Sequence, residues 1–286
     1  MPAFKPKFDE VIIRGGLGNQ LFGLMEAYRC LQTHGTPSVR LNVAEYNDGC
    51  RDDRPFVLDQ IWTGKQGLAV QENTLLSVFR YRLLRLFSKF INFKSRADRL
   101  PGDIELKLWF LPTYRSRIGY FQNISAEVDN TPLIELKSDI STHFLSKPVN
   151  RLALHIRRGD YLKSVHSGHG LVPLGAILAE AKFALNNNDF DGITVFTDSP
   201  ELFNISDFEE LECDVAFDEG SDNPVHVLSR MASHQGLVAS NSSFSLWAGL
   251  LCVEKKHFSL PTEWMRGIDS RVLGLNEVRR YFCTLQ

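Results

Sequence analysis

Short apolar strands that alternate with helix-spaced segments most constrain the fold of this chain. Residues 11–13, Val-Ile-Ile, form a β-branched run that leads into the glycine-rich turn at 15–18. Apolar residues then recur at helical spacing over 19–31, and residues 38–43 are typical of a second strand. Because a strand, a glycine turn and a helix open a βαβ unit, this half is predicted to hold a parallel sheet.

The second half of the chain repeats this alternation. Predicted strands lie at 151–156, 193–196, 215–217 and 237–239, and predicted helices at 174–186, 200–203, 224–233 and 243–253. Such alternation predicts parallel sheets covered on both faces, with ligands bound beyond the carboxyl ends of the strands. Residues 147–150, Lys-Pro-Val-Asn, are typical of a linker, so we expect two α/β domains, 1–147 and 148–286.

A basic stretch lies inside the first domain. Residues 78–100 carry seven Lys and Arg residues against one acid, Asp98, with apolar residues interleaved. The pattern predicts an amphipathic helix, which either packs its apolar side on the core or contacts anionic lipid. After it, residues 101–112 are predicted to be irregular and residues 133–145 to be helical.

Charge and cysteine usage exclude several function classes. The 286 residues include 32 Lys and Arg against 34 Asp and Glu, so the net charge of −2 excludes a nucleic-acid binder held by bulk charge. No two of the 5 cysteines have CxxC spacing, which argues against zinc ribbons and redox pairs. The N-terminus lacks an apolar signal region, and the longest apolar stretch, 246–253, is too short to span a bilayer. We therefore expect a cytoplasmic protein, or one peripheral to the inner membrane surface through residues 78–100.

Two of the loops at predicted strand ends have unusual composition. In the first, Gly16 and Gly18 permit close backbone approach to a ligand beside a helix N-terminus. No Gly-Lys-Ser/Thr follows, and residue 21 is Leu, so neither a Walker A loop nor a complete GxGxxG is present. In the second, Arg157 and Arg158 directly follow a buried strand, and such guanidinium groups suit phosphate oxygens. The alternatives are an ordinary glycine turn and an ion pair that ties the loop together.

The other two loops are rich in hydroxyl groups. Thr197 and Asp198 end one strand, and the Ser-Asn-Ser-Ser run at 240–243 opens an apolar helix. Helix capping alone explains both patterns, whereas a helix N-terminus with free N–H groups is also a phosphate site. Considered together, the four loops predict a cleft for a phosphorylated nucleotide.

Jointly, these segments resemble the alpha-1,2-fucosyltransferases, glycosyltransferase family 11. The resemblance rests on GGLGNQLF at 15–22, HIRRGDY at 155–161, VFTDSPELF at 195–203 and SNSSFSLWAGLL at 240–251, with GYFQN at 119–123 similar to a fifth family segment. It implies a GT-B-like pair of Rossmann-like domains, with the active site in the cleft between them. It also implies transfer of fucose from GDP-fucose, usually to O2 of a terminal galactose in a glycan acceptor, with inversion and without a required metal or other cofactor.

The resemblance also implies roles for individual residues. The C-terminal domain would bind the GDP-sugar and the N-terminal domain would lie on the acceptor side. Arg157 and Arg158 would hold the diphosphate, and Asp160 is the candidate base, with Glu26 and Asp198 left open as alternatives. The implied catalytic residues are Arg157, Arg158, Asp160 and Asn19; the implied donor-binding residues are Gly16, Gly18, Asn19, Gln20, His155, Arg157, Thr197, Asp198, Ser242, Ser243 and Phe244.

Two other classes remain as alternatives. One is a non-catalytic or differently specific nucleotide-sugar-binding protein of the same fold. The other is an unrelated Rossmann oxidoreductase or methyltransferase, which the incomplete GxGxxG and the arginine pair disfavour.

Overall fold

The computed structural model describes residues 8–34, 37–47, 54–71, 77–79, 81–83, 85–86, 104–107, 114–122, 131–141, 144, 147–162, 168–252 and 254–286. The chain forms two compact units, Met1–Ile140 and Ser141–Gln286, a division close to the boundary predicted after residue 147. Each unit is an α/β structure built on a largely parallel sheet, which confirms the predicted fold class of two Rossmann-like domains.

The first unit is built on a sheet with one antiparallel edge strand. Its elements are β1 Phe8–Ile12, α1 Leu17–His34, β2 Val39–Asn42, α2 Ala44–Asn47, β3 Leu68–Gln71, β4 Ile104–Lys107, β5 Tyr114–Ile118 and α3 Thr131–Ser141. Within the described residues, the strand order is β3-β2-β1-β5-β4, and β4 is antiparallel to β5. Residues 101–112 were predicted to be irregular, and β4 corrects this. Four residues, Ile-Glu-Leu-Lys, are too short a run to separate a strand from a loop by periodicity.

The first helix packs closely on the strand that precedes it. Ile12 and Ile13 are fully buried, as are Leu21 and Phe22 on the facing side of α1. A Cβ atom at Gly23 would lie 2.8 Å from Cδ1 of Ile13, so glycine allows the helix to approach the strand. Each such buried side chain contributes about 1.5–3 kcal/mol to folding.

The second unit has an all-parallel main sheet. Its elements are β6 Val149–Ile156, α4 Leu174–Asn187, β7 Ile193–Thr197, β8 Val215–Phe217, α5 Pro224–Ser233, β9 His234–Val238, α6 Ser243–Leu251, β10 His257–Leu260, β11 Glu263–Met265, β12 Ile268–Asp269 and β13 Arg280–Tyr281. Over the described ranges, the main sheet has the order β13-β10-β9-β6-β7-β8. Numbered along the chain, that is the 3-2-1-4-5-6 order of nucleotide-binding sheets.

This strand order brings three predicted loops to one edge. The order reverses at β6, which pairs with β7 on one side and β9 on the other. In register, Ile156 lies opposite Thr197, and Leu154 lies opposite Val238. The loops that follow β6, β7 and β9 are therefore adjacent, at the position where open α/β sheets bind their ligands.

Part of the basic stretch is described. Residues 77–79, 81–83 and 85–86 are helical, as predicted, while 87–100 lie outside the described residues. None of the helices among the described residues is long and apolar enough to cross a membrane.

Candidate functional site: an arginine loop at the strand ends

The centre of the candidate site is the pairing of Arg157 with Asp198. Arg157 follows β6, Asp198 follows β7, and Nη1 of the arginine lies 3.0 Å from Oδ2 of the carboxylate. The backbone N–H of Arg158 donates to Oδ1 of the same carboxylate at 2.8 Å. Asp198 thus binds, through both of its oxygens, the segment 157–159 that follows β6, which we call the arginine loop. The ion pair given above as an alternative interpretation is therefore present. The carboxylate of this ion pair follows the neighbouring strand β7, 41 residues after Arg157 in the sequence.

Gly159 makes this approach possible. A Cβ atom at this position would lie less than 3.0 Å from Oδ2 of Asp198, closer than real Cβ atoms come to their neighbours. Its N–H also donates to Oγ of Ser199 at 3.1 Å. The glycine of the HIRRGDY segment is therefore required by a side chain from the next strand.

Arg158 is oriented by weaker contacts than Arg157. Its Nη1 donates to the carbonyl oxygen of Arg157 at 2.9 Å, and its guanidinium carbon lies 5.9 Å from the ring centroid of Phe203. Burial lowers the pKa of Arg158, and the nearby Asp198 carboxylate opposes that shift. Among the described residues, no carboxylate forms a salt bridge with Arg158. Its positive charge therefore remains available to an anionic ligand.

His155 is buried beneath this loop and is neutral. Its Nδ1 lies 2.7 Å from Oγ of Ser240, and only 5% of the residue is exposed. Burial, with a smaller effect from the Arg157 charge, lowers the pKa of His155 to about 3. A neutral imidazole cannot add positive charge for a phosphate, but its hydrogen bond joins β6 to the loop after β9.

The loop after β9 forms the start of α6. Ser242 caps the helix, and its side chain accepts a hydrogen bond from the N–H of Phe244 at 3.4 Å. Ser243 is the first residue of the helix, and the ring of Phe244 lies 6.3 Å from the ring of His155. Helix capping, one of the two interpretations of this serine-rich run, is therefore present at Ser242. The same helix N-terminus lies at the carboxyl edge of the sheet, where it can also bind a phosphate.

Thr197 has a local role in the loop after β7. Its Oγ1 accepts a hydrogen bond from the backbone N–H of Ser199 at 3.2 Å. The bond shapes the turn that presents Asp198 and Ser199 to the arginine loop.

Tyr161 and Asn241 are structural members of the site that are not among the predicted site residues. The hydroxyl of Tyr161 donates to the carbonyl oxygen of Asn241 at 3.0 Å, and the guanidinium of Arg157 lies 5.5 Å from the Tyr161 ring centroid. The imidazole ring of His169 stacks on the ring of Tyr161, with 5.0 Å between the ring centroids. Both Tyr161 and Asn241 lie inside the quoted motifs, which was the available signal. Asp160 belongs to the turn Gly159–Leu162, but its side chain lies outside the described residues, so its assignment as base stays a prediction.

The glycine loop belongs to the first unit. Gly15 has φ of 68°, a left-handed conformation that favours glycine, and Gly16 and Gly18 follow at the start of α1. Gln20 is fully buried: its amide nitrogen donates to the carbonyl oxygens of Gly15 and Pro55 at 3.1 and 2.9 Å. Its amide oxygen accepts from the N–H of Val57 at 3.1 Å. In this structure the side chain of Gln20 shapes the loop, and its predicted contact with the donor remains untested.

Two further predicted residues of this unit differ in their surroundings. Asn19 is partly exposed, and its Oδ1 accepts a hydrogen bond from Nε2 of Gln122 at 2.9 Å. Glu26, an alternative base, is buried and forms ion pairs with Arg29 and Arg117. Glu26 is thus held by two cations inside the unit, whereas Asn19 remains at the surface of the loop.

The described residues hold no group of three or more His, Cys, Asp or Glu side chains that could bind a metal ion.

Comparison with known proteins gives glycosyltransferase relatives over most of the chain. It is 24% identical over 281 residues to the alpha-1,2-colitosyltransferase of Escherichia coli, covering 88% of this chain and 90% of the relative. It is also 24% identical over 299 residues to the O-antigen biosynthesis glycosyltransferase WbnK of Escherichia coli, covering 92% of this chain and 97% of the relative. No family model matches the chain.

Among solved structures, the chain is similar to the NodZ fucosyltransferases. A crystal structure of the alpha-1,6-fucosyltransferase NodZ soaked with GDP-fucose matches with a TM-score of 0.42 and 13% identity, covering 86% of this chain and 93% of that one. The NodZ structure from Bradyrhizobium matches with a TM-score of 0.43 and 13% identity, covering 87% and 94%. The two sequence matches, each over most of the chain, support a glycosyltransferase, in agreement with the motifs.

Proposed function

We propose that this glycosyltransferase transfers fucose from GDP-fucose to O2 of a terminal galactose in a glycan acceptor, with inversion. The observation that carries the proposal is the arginine loop: Asp198 holds Arg157 at the switch point of a 3-2-1-4-5-6 sheet. An anionic nucleotide fits a positive loop at that edge. The alpha-1,2 linkage is supported by the four motifs and by the linkage in the name of one relative.

The arginines stabilise the leaving group in this proposal. When the bond from fucose to GDP breaks, the diphosphate gains negative charge, and fixed guanidinium groups offset it without reorganising. Arg158 supplies a charge that forms no salt bridge with a described carboxylate, while Arg157 is held in place by Asp198. The N–H groups at the start of α6, near Ser243 and Phe244, would bind the same phosphates.

The transfer also needs an activated acceptor hydroxyl. By analogy with glycoside hydrolysis, the anomeric carbon becomes oxocarbenium-like, and a carboxylate removes the proton from the attacking oxygen. We assign that base to Asp160, which lies in the turn directly after the two arginines. Asp198 is less suited to this role because both of its oxygens already bind the arginine loop. Glu26 is less suited because it is buried between two arginines.

A second candidate is transfer of a different sugar with the same linkage. It is favoured by the name of one relative, an alpha-1,2-colitosyltransferase. The arginine loop would serve any nucleotide diphosphate sugar, so the loop does not select the sugar itself.

The experiment is a transfer assay with a donor and acceptor panel. The purified chain is incubated with GDP-fucose or another GDP-sugar and with lactose or N-acetyllactosamine, with and without a chelator. We expect GDP release, a product one deoxyhexose heavier and an α-1,2 linkage by NMR, unaffected by the chelator. Binding of GDP without turnover on every acceptor would instead support a non-catalytic binding protein.

A further inference from the structure

The sheet of the first unit has a switch point of its own, at β1. In the described strand order, β2 and β3 lie on one side of this strand and β5 lies on the other. β1 and β5 are parallel, with Val11 opposite Arg117, so the loops that follow these two strands are adjacent. Ligands of open α/β sheets bind at this kind of edge, and the arginine loop proposed to hold the donor belongs to the other unit.

Two contacts join the loop after β1 to the loop after β5. The guanidinium carbon of Arg14 lies 5.3 Å from the ring centroid of Tyr120, and Nε2 of Gln122 donates to Oδ1 of Asn19 at 2.9 Å. Between Tyr120 and Gln122, the buried Phe121 has φ of 49°, a left-handed conformation that non-glycine residues rarely adopt. Backbone of this kind persists where its surroundings hold it in place, and it is concentrated at ligand-binding sites.

The positive charge of Arg14 is compensated within the unit. Its Nε donates to Oε2 of Glu45 at 2.8 Å, and that carboxylate also accepts from the hydroxyl of Tyr81 at 2.8 Å and from the N–H of Gly15 at 3.4 Å. Burial lowers the pKa of Arg14, but the charge of Glu45 and smaller contributions raise it above its usual value, so the guanidinium stays protonated. Arg14 and Glu45 therefore form an ion pair without net charge.

The terminal nitrogens of Arg14 are directed to a ligand of a particular chemistry. With the described residues Nη1 and Nη2 form no hydrogen bond, and 20% of the side chain is exposed. A compensated guanidinium attracts a phosphate weakly, in contrast to Arg158, but its N–H groups can still donate to hydroxyl oxygens. Tyr120 is 38% exposed, and an aromatic ring offers a surface on which the C–H face of a galactose ring can pack. N–H donors without net charge beside an exposed ring suit a neutral sugar.

We propose that Arg14 and Tyr120 bind the galactoside acceptor, and that Glu45 positions Arg14 and the glycine loop for it. Since the sugar is taken to be the acceptor, this assignment rests on the transferase function proposed above. The guanidinium donates to hydroxyl groups of the acceptor and the ring packs on the sugar, while the arginine loop of the second unit serves the donor diphosphate.

Initial rates at varied lactose and varied GDP-fucose test the assignment. Arg14→Lys keeps a charge opposite Glu45 but removes the terminal N–H groups, and Tyr120→Ala removes the ring. We expect each variant to raise the KM for lactose at least about tenfold and to leave the KM for GDP-fucose unchanged. Tyr120→Phe keeps the ring and should restore the KM for lactose close to its wild-type value.

Two variants elsewhere in the first unit are the matched controls. Arg29→Lys changes an arginine whose side chain is also 20% exposed and also paired with a carboxylate, that of Glu26, but which lies about three turns into α1. Phe79→Ala removes an aromatic ring from a residue that is 61% exposed. Both controls should leave the KM for lactose unchanged.

Direct binding separates this sugar site from the transfer reaction. Saturation-transfer difference NMR with lactose and GDP, a mixture that permits no transfer, should give a lactose signal for wild type and Tyr120→Phe. Arg14→Lys and Tyr120→Ala should lose that signal while remaining folded by thermal unfolding. Lactose binding by a wild type that transfers nothing leaves the sugar site standing and removes the transferase function.

Three results would overturn the proposal. One is a wild-type KM for lactose in both folded variants, Arg14→Lys and Tyr120→Ala. Another is an increase confined to the KM for GDP-fucose, which would place these side chains at the donor. The third is a wild type that gives no lactose signal.

Discussion

Gly159 leaves the space that the carboxylate of Asp198 occupies. A Cβ atom at position 159 would come within 3.0 Å of Oδ2, the oxygen that pairs with Arg157. Gly159→Ala should therefore displace Asp198 and release Arg157 while the strands stay intact. We expect donor affinity to fall about 10- to 100-fold, measured by titration with GDP, since one charge-assisted contact is worth about 1.5–3 kcal/mol.

The matched control for this change is Gly175→Ala. Gly175 lies in the first turn of α4, and a Cβ atom there would meet no atom within 4 Å. Alanine in a helix is favoured over glycine by up to about 1 kcal/mol, so this variant should be as stable as the wild type or more so, with unchanged GDP affinity. Equal GDP affinity for both alanine variants would contradict the role assigned to Gly159.

Asp198→Asn tests whether Asp198 positions the arginine or acts as the base. Asparagine can still accept the N–H of Arg158 but loses the charge that holds Arg157. We expect kcat/KM to fall about 10- to 100-fold, mostly through a higher KM for the donor. The acidic limb of the pH–rate profile should persist. If that limb disappears and kcat alone collapses, Asp198 is the base and the positioning role is wrong.

The buried His155 predicts how stability depends on pH. Its pKa is lowered to about 3 in the folded chain, chiefly by burial, against about 6.5 when unfolded. The unfolded state therefore binds a proton that the folded state does not, and stability falls as the pH drops below about 6.5. The slope from this group is about 1.4 kcal/mol per pH unit.

Urea unfolding of wild type and His155→Gln measures this effect. Between pH 6 and pH 4.5 the wild type should lose about 2 kcal/mol more than the variant. His234 also has a pKa lowered by burial, but it is present in both proteins and cancels in the difference. Parallel stability curves for the two proteins would mean that the pKa of His155 is the same in the folded and the unfolded chain.

Gln20→Ala should affect stability more than donor binding. It removes three hydrogen bonds to the backbone of Gly15, Pro55 and Val57 in a fully buried site. We expect a loss of about 1–3 kcal/mol in the free energy of unfolding. An exposed glutamine of the same unit, Gln66, gives the control Gln66→Ala, for which thermal unfolding should be unchanged. A stable Gln20→Ala variant that binds GDP poorly would place this side chain at the donor instead.

Segments whose ends carry clear turn or helix-start signals could be predicted from the sequence. Predicted strands and helices such as 215–217 and 224–233 match β8 and α5, because turn residues and a first-turn proline mark their ends. The short strands β3, β4, β10 and β13 did not follow. Their two to four residues carry too little periodicity, and only pairing with neighbouring strands defines them.

For the candidate site, the sequence predicts which loops lie at the strand ends, but not which side chains pair across them. Arg157 is predicted to bind an anion because a charged side chain directly after a buried strand is unusual. That its carboxylate partner is Asp198, 41 positions later, depends on the pairing of β6 with β7. The same pairing explains Gly159, since no local property of the loop requires a glycine there.

The most direct test of the central claim is the transfer rate of Arg157→Ala with GDP-fucose and a galactoside. The wild type should form an α-1,2-fucosylated product. The variant should remain folded by circular dichroism, lose at least about 100-fold in kcat/KM, and no longer be stabilised by GDP against heat. Undiminished transfer by Arg157→Ala would contradict the account, because the arginine loop would then not stabilise the departing diphosphate.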